Sequence, residues 1–180
     1  MIDDIIKSLK LFIICAFLIA GIYNFLLHLV GNILFPHTSK GSLIIEDGSI
    51  KGSYLIGQDF KSSKLFHTRP YVNSEFEAST PIYDEEFIFD LRNNLQNLNK
   101  EFNTEIPFEM IAFSCSNLDP FISVKAAKAQ IERVSRETNI PHTQLSLLID
   151  NTKQTTLPPF FVTEKINVTK LNFELKKLLK

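Results

Sequence analysis

Hydrophobic and polar positions divide the chain into one long apolar run and a succession of short, patterned segments. From Leu11 to Phe35, LFIICAFLIAGIYNFLLHLVGNILF, twenty-five residues pass without an Asp, Glu, Lys or Arg. At about 1.5 Å per residue a helix of that length covers the roughly 30 Å hydrocarbon core of a bilayer. Backbone in lipid must satisfy its own hydrogen bonds, so a single span has to be helical. Lys7 and Lys10 before the run, and Tyr23, Phe25 and Phe35 toward its far end, suit the two interfaces. The pattern predicts a membrane helix.

The polar residues inside the run are in phase. Asn24, His28 and Asn32 recur every four positions with Gly21 and Gly31 beside them, so they share one helix face. One reading makes Gly21, Asn24, His28 and Asn32 partner-binding residues, hydrogen-bonded to and closely packed against helices of a larger membrane protein. The other is that a single-pass anchor tolerates a few amides.

After the run the periods shorten. Ser42–Glu46 and Ser49–Ile56 flank Asp47-Gly48, a hairpin signal, with Gly52 and Gly57 marking a bulge or a tight backbone approach. Residues 58–70 are irregular, with Phe60, Leu65 and Phe66 plugging a core. From Asp84 the period becomes helical: Phe87, Leu91, Leu95, Leu98 and Phe102 step by three and four. Asp84, Glu85 and Glu86 complement the helix dipole and Thr80-Pro81 leads in. Ile106–Ser114 reads as a strand and Ser114–Pro120 as a loop. Ser123 caps one helix over VKAAKAQIERVSRETN, with Val124, Ala127, Ile131 and Val134 inward. Thr143–Asp150 makes a shorter helix facing in with Leu145, Leu148 and Ile149, and Leu157-Pro158-Pro159 a turn or extended loop. Asn167 caps a last helix through Val168, Leu171, Leu175 and Leu178; its formal glycosylation triplet is better read as that cap. The expectation is an α+β protein: residues 1–36 as tail and single transmembrane helix, residues 37–180 as one mixed α/β soluble domain.

Charge and composition narrow the classes. A soluble part of about 140 residues can bury its own core. The chain's net charge is −1; Lys7 and Lys10 cancel Asp3 and Asp4, so the soluble part carries all of it. No basic patch invites nucleic acid. Cys15 lies in the apolar run and Cys115 far from it, so no disulfide framework is expected, and Cys115 reads as a buried, inert thiol. The apolar run is too long for a signal-peptide core and ends without a small-x-small site, so it is expected to be retained. Lys7 and Lys10 point to a cytoplasmic N-terminus and a soluble domain outside the cytoplasm, although Lys40 follows the span closely.

Catalytic signatures are absent: no GxxxxGK, GxGxxG or HExxH motif, no paired-cysteine zinc site, and four histidines too dispersed to indicate a metal cluster. The segment SCSNLDP is the one whose composition asks for an explanation. Ser114, Ser116, Asn117 and Asp119 either present donors to an anion ahead of a helix or bond their own backbone in a tight connection.

Order and spacing of these segments resemble the C subunit of Kdp-type potassium-transporting ATPases, nearly end to end. The residues that carry the resemblance are Gly41-Ser42-Leu43 after the span, Gly52-Ser53, Ile56-Gly57-Gln58-x-Phe60, and Phe66 with Arg69-Pro70. Ser114-x-Ser116-x-Leu118-Asp119-Pro120-x-Ile122-Ser123 is the most diagnostic stretch, followed by Ala126-Ala127, Gln130, Arg133-Val134, Asn167-Val168 and Leu171-Asn172. Asn117 stands where the family usually has glycine and Phe121 where histidine is common. Residues 71–90 lack the usual SNLGP-like run, and TTLPPFFVTEK replaces a glycine-rich approach to the last helix, as in a divergent member.

The resemblance implies a non-catalytic accessory subunit of a high-affinity potassium uptake complex in the cytoplasmic (inner) membrane. Its partners are a channel-like potassium-binding subunit and a P-type ATPase subunit that carries the hydrolytic site. It implies a role in assembling the complex and a catalytic-chaperone role, raising the ATP affinity of the ATPase subunit. No cofactor is required; ATP is possible, with Ser114, Ser116, Asp119 and Gln130 as nucleotide-binding candidates. A domain outside the membrane cannot touch cytoplasmic ATP, which stands against direct binding. The rival reading is a membrane-tethered, extracytoplasmic ligand-binding domain.

Overall fold

The computed structural model describes residues 2–46, 48–70, 83–99, 102, 105–114, 116, 118–155 and 164–179. The expectations for Thr80-Pro81, Cys115, Asn117 and Leu157-Pro158-Pro159 lie outside the described residues. Two compact units are present, Met1–Lys51 and Gly52–Lys180, and together they make an α+β protein.

The first unit is dominated by a helical rod, Ile2–Leu34, the one helix among the described residues long and apolar enough to cross a membrane. It consists of α1 (Ile2–Ala16), a π-helical segment (Phe17–Tyr23) and α2 (Asn24–Leu34). The rod begins well before the uncharged run, because Asp3 and Asp4 sit in its first turn, at the positive end of the helix dipole. None of its side chains is buried. The π-helical turn was not expected from sequence. It is wider than an α turn, and the Asn24 Nδ2 reaches back to donate to the carbonyls of Ala20 (3.0 Å) and Ile19 (3.3 Å). A one-turn helix, α3 (Pro36–Ser39), follows, and then β1 (Leu43–Glu46) and β2 (Ser49–Ser53) pair as a two-stranded sheet. The turn between them uses Gly48 at φ +70. β2 is shorter than expected, because the Ser53 hydroxyl accepts the Leu55 N–H (3.0 Å) and bends the chain out of the strand.

The second unit packs helices on a small antiparallel sheet. They are α4 (Glu85–Leu98), α5 (Val124–Ala129), α6 (Ile131–Thr138), α7 (His142–Thr152) and α8 (Val168–Leu178). The sheet orders β3 (Phe121–Ser123), β5 (Glu164–Asn167) and β4 (Gln154–Thr155), with β5 central. Ile122 faces Ile166 across β3 and β5, and both are fully buried with Phe66, Met110, Val134, Leu145, Ile149, Leu171 and Leu175. Three helices start on side-chain caps: Asp84, Ser123 and Asn167 accept from the N–H of Phe87, Ala126 and Lys170. Ser123 and Asn167 are the expected ones, whereas Asp84, expected inside the first turn, stands just ahead of it.

Several expectations are corrected. Ile106–Ser114 is not a strand. Pro107 lacks an N–H, its carbonyl accepts from Met110 (2.9 Å), and Phe108–Met110 curls into a 3-10 turn. The helix after Ser123 is not continuous; it breaks at Gln130, whose side chain is drawn inward, and Gln130 and Arg133 are buried while Ile131 is only half-buried. Leu95 and Leu178, expected inward, lie exposed on α4 and α8.

Candidate functional site

Along α2 the polar face is bonded to itself. Asn32 Nδ2 contacts His28 Nε2 at 3.0 Å and donates to the His28 carbonyl at 2.8 Å, and Ser39 Oγ donates to Asn32 Oδ1 at 3.3 Å. Asn24 is occupied one turn earlier by the π-helical carbonyls. Gly21 and Asn32 are half-exposed, and Asn24 and His28 are exposed. In lipid such side chains would otherwise seek foreign partners; here each also closes a bond within its own helix.

In the second unit two buried amides grip consecutive residues of one loop. Asn172 on α8 accepts from the Phe66 N–H through Oδ1 and donates to the Phe66 carbonyl through Nδ2, both at 2.8 Å. Gln130 does the same one residue on: Oε1 accepts from the His67 N–H at 2.7 Å, and Nε2 donates to the His67 carbonyl at 3.1 Å. Arg133 extends the grip, donating to Gln130 Oε1 (2.9 Å) and to the Ser63 carbonyl. Each amide imitates a neighbouring β-strand for a segment that has none. Buried backbone polar groups must be paired, and this irregular loop is paired by side chains.

The gripped loop delivers Arg69 to a shallow depression lined by Leu55, Ile56, Ser114, Ser116, Leu118, Asp119, Pro120 and Phe121. Arg69 Nε lies 3.8 Å from Asp119 Oδ2, an ion pair too long for a hydrogen bond, and among the described residues this buried Nε–H has no acceptor. Arg69 also walls a neighbouring, more enclosed pocket with Phe60, His67, Asn94, Leu98 and Met110. Asp119 Oδ1 accepts from the Phe121 N–H (3.0 Å) and Ser116 Oγ from the Leu118 N–H (3.3 Å), so both groups bond their own loop. The Gly57 N–H donates to the Leu118 carbonyl at 2.7 Å, and a Cβ on Gly57 would stand 2.8 Å from the Asp119 carbonyl oxygen. The tight approach expected at Gly57 is this one.

Of the four nucleotide candidates, Ser114, Ser116 and Asp119 are thus together, and Gln130 is not with them. Its amide is buried and spent on the loop. A triphosphate at the depression would meet the Asp119 carboxylate, with Arg69 as the one cation among the described lining residues. Among the described residues no group of three or more His, Cys, Asp or Glu could hold a metal ion. Arg69 and Asn172 carry more of this site than their sequence context announces. Both belong to the motifs on which the family resemblance rests, but nothing local foretells that an asparagine on α8 holds a peptide unit 106 positions away.

A family model described as KdpC, K+-transporting ATPase, c chain, matches residues 5–177. The potassium-transporting ATPase KdpC subunit of Caldanaerobacter subterraneus subsp. tengcongensis is 31% identical over 187 residues, covering 99% of this chain and 97% of the relative. That of Escherichia coli O127:H6 is 31% identical over 183 residues, covering 95% and 96%. KdpC subunit 2 of Staphylococcus aureus is 33% identical over 191 residues, covering 96% and 97%.

Proposed function

The chain belongs to the KdpC family, the c chain of K+-transporting ATPases, and on that premise we propose that it is a non-catalytic subunit anchored by the rod Ile2–Leu34 among the membrane helices of its partners. Those partners are a channel-like potassium-binding subunit and a P-type ATPase subunit that hydrolyses ATP. The observation that carries the reading is the rod itself, apolar and without one buried side chain. In water such a surface would aggregate; in lipid, its single polar face is the place where other helices dock. The soluble domain lies on the extracytoplasmic side and needs no cofactor of its own. Its influence on ATP use is a coupling free energy transmitted through the assembly rather than a contact with nucleotide. The depression's Asp119 and the engaged Gln130 favour coupling over direct binding.

Replacing Asn24 and His28 together with Leu tests the docking role. Co-purification with the potassium-binding subunit from detergent extract is expected to weaken several-fold, with potassium-limited growth impaired in step. Undiminished assembly and uptake would refute it.

A further inference from the structure

The hairpin β1–β2 begins where the rod ends, and the connection between them keeps it there. Ser39 on α3 reaches back to α2: its Oγ donates to Asn32 Oδ1 at 3.3 Å, and a Cβ on Gly31 would stand 3.9 Å from the Ser39 Cβ. The Gly41 N–H donates to the Thr38 carbonyl and the Ser42 N–H to the His37 carbonyl, both at 3.0 Å. Gly41 and Ser42 take left-handed backbone, φ +83 and +48, and so turn the chain on itself. This closed turn uses residues 37–42 with little advance, and β1 starts beside the end of the rod instead of on a stalk.

Ile45, next to last in β1, and Ile50, second in β2, are 62% and 65% exposed, the two most exposed isoleucines outside the rod among the described residues. A connection as short as 47–48 makes the paired strands antiparallel and sets these two positions opposite each other, so both side chains stand on one face. The other face carries Ile44, 5% exposed, and the half-buried Glu46. One face is packed, and its reverse is apolar and open.

Continuity with the membrane span identifies the cover. The apolar run Leu11–Phe35 is about 37 Å long as a helix, more than the roughly 30 Å hydrocarbon core, so the rod tilts. Tilt toward the hairpin lowers its open face into the boundary between headgroups and acyl chains. There the isoleucines leave water, while the unpaired edges of a two-stranded sheet still meet water and headgroups, as they could not in the hydrocarbon core. Lys40, exposed just ahead of β1, lays its stem against the acyl side and its ammonium at the phosphates. Glu46, on the reverse face and next to the turn, stays on the water side, so the hairpin lies flat rather than entering tip first.

We infer that Ile45 and Ile50 form a lipid-binding face, on which the hairpin β1–β2 rests in the bilayer interface beside the end of the rod. This rests on the reading of the rod as a membrane span. It adds a second, shallow membrane contact that sets the side toward which the rod tilts.

The sequence holds no tryptophan, so a single introduced one reports on its own surroundings. Full-length chains carrying Ile45→Trp, Ile50→Trp, Ile33→Trp in the rod or Leu147→Trp on α7, a position 62% exposed, are reconstituted in phosphatidylcholine vesicles with or without bromine near the headgroup end of the acyl chains. Brominated lipid is expected to lower the emission of the first three chains about twofold, as for side chains seated at the headgroup–acyl boundary, and to leave that of Leu147→Trp unchanged. Quenching of Ile33→Trp but of neither hairpin position overturns the lipid face and leaves the span intact. Quenching of none of the four overturns the span as well. In the intact, membrane-bound complex, photo-reactive benzoylphenylalanine at Ile45 is expected to attach to lipid; attachment to another subunit instead overturns the proposal in favour of a protein cover.

Discussion

Gln130 and His67 exchange two hydrogen bonds across 63 positions of sequence, amide oxygen to N–H at 2.7 Å and amide nitrogen to carbonyl at 3.1 Å. A side chain here does the work of a strand. The pairing fixes the loop that carries Arg69, and it sits at the break between α5 and α6.

Gln130→Leu keeps the volume and removes the polar partners. It removes the acceptor that Gln130 offers the His67 N–H and one Arg133 N–H, and the donor it offers the His67 carbonyl; a buried group left unsatisfied costs roughly 1–3 kcal/mol, and half-buried His67 recovers part of that from water. Urea unfolding of the full chain in detergent is expected to reveal a loss of about 2–4 kcal/mol. A loss of nucleotide affinity without any loss of stability would instead assign Gln130 to a ligand.

Asn172→Leu should cost a similar amount, because Phe66 loses both its partners. Since Phe66 and His67 are adjacent, the first substitution frees the loop that the second would have freed. The double variant is therefore expected to be less damaged than the sum, with a coupling of about 1 kcal/mol in a double-mutant cycle. Strict additivity would mean the two amides hold independent structures.

Gly57→Ala places a methyl group 2.8 Å from the Asp119 carbonyl oxygen, where the obstacle is backbone and cannot rotate away. The loops must part, breaking the Gly57–Leu118 bond. Hydrogen exchange is expected to rise at 55–57 and 118–119 before it changes in α7, as mass spectrometry of the native chain and the variant would record. Exchange unchanged in both loops would sink the claim that they are bolted together.

The Lys153 and Glu164 side chains meet at 2.9 Å beside the β4–β5 pairing. Hydrogen bonding to Glu164, then its charge, raises the Lys153 pKa above 10.5. A group raised on folding contributes its stability below its unfolded pKa and loses it as pH climbs through the folded value. The melting difference between the native chain and Lys153→Met should hold across neutral pH and close only above 10.5. It should be small and shrink with salt, since both side chains face solvent.

What the sequence discloses here is what is local. Ser123 and Asn167 are readable as caps because each bonds an N–H three residues on; Asp84 does the same from just outside the first turn in which the acidic run placed it. The apolar run is readable because lipid imposes one requirement on every residue in it. The strand expected at Ile106–Ser114 fails because a run of apolar residues does not say whether a strand waits beside it; β3 pairs with β5 instead. The break at Gln130 is invisible for the same reason, since its cause is a loop far away in sequence. The cluster of Ser114, Ser116 and Asp119 was legible as polar and close together, and its pairing with Arg69 was not.

The π-helical segment has a geometric corollary. Its turn holds one residue more than the α turns on either side, and the wider turn absorbs that residue, so α1 and α2 keep nearly the relative azimuth of a regular helix one residue shorter. Deleting a single residue from Phe17–Tyr23 would therefore let the turn close to regular pitch with the side bearing Asp4 and Lys7 and the Asn24–Asn32 edge still facing their present sectors. Deleting one from α1 or α2, where the pitch is already regular, would instead swing what lies beyond it about 100° around the axis. The surplus residue is thus slack stored in the shaft, and this stretch is where a change of length is least disruptive.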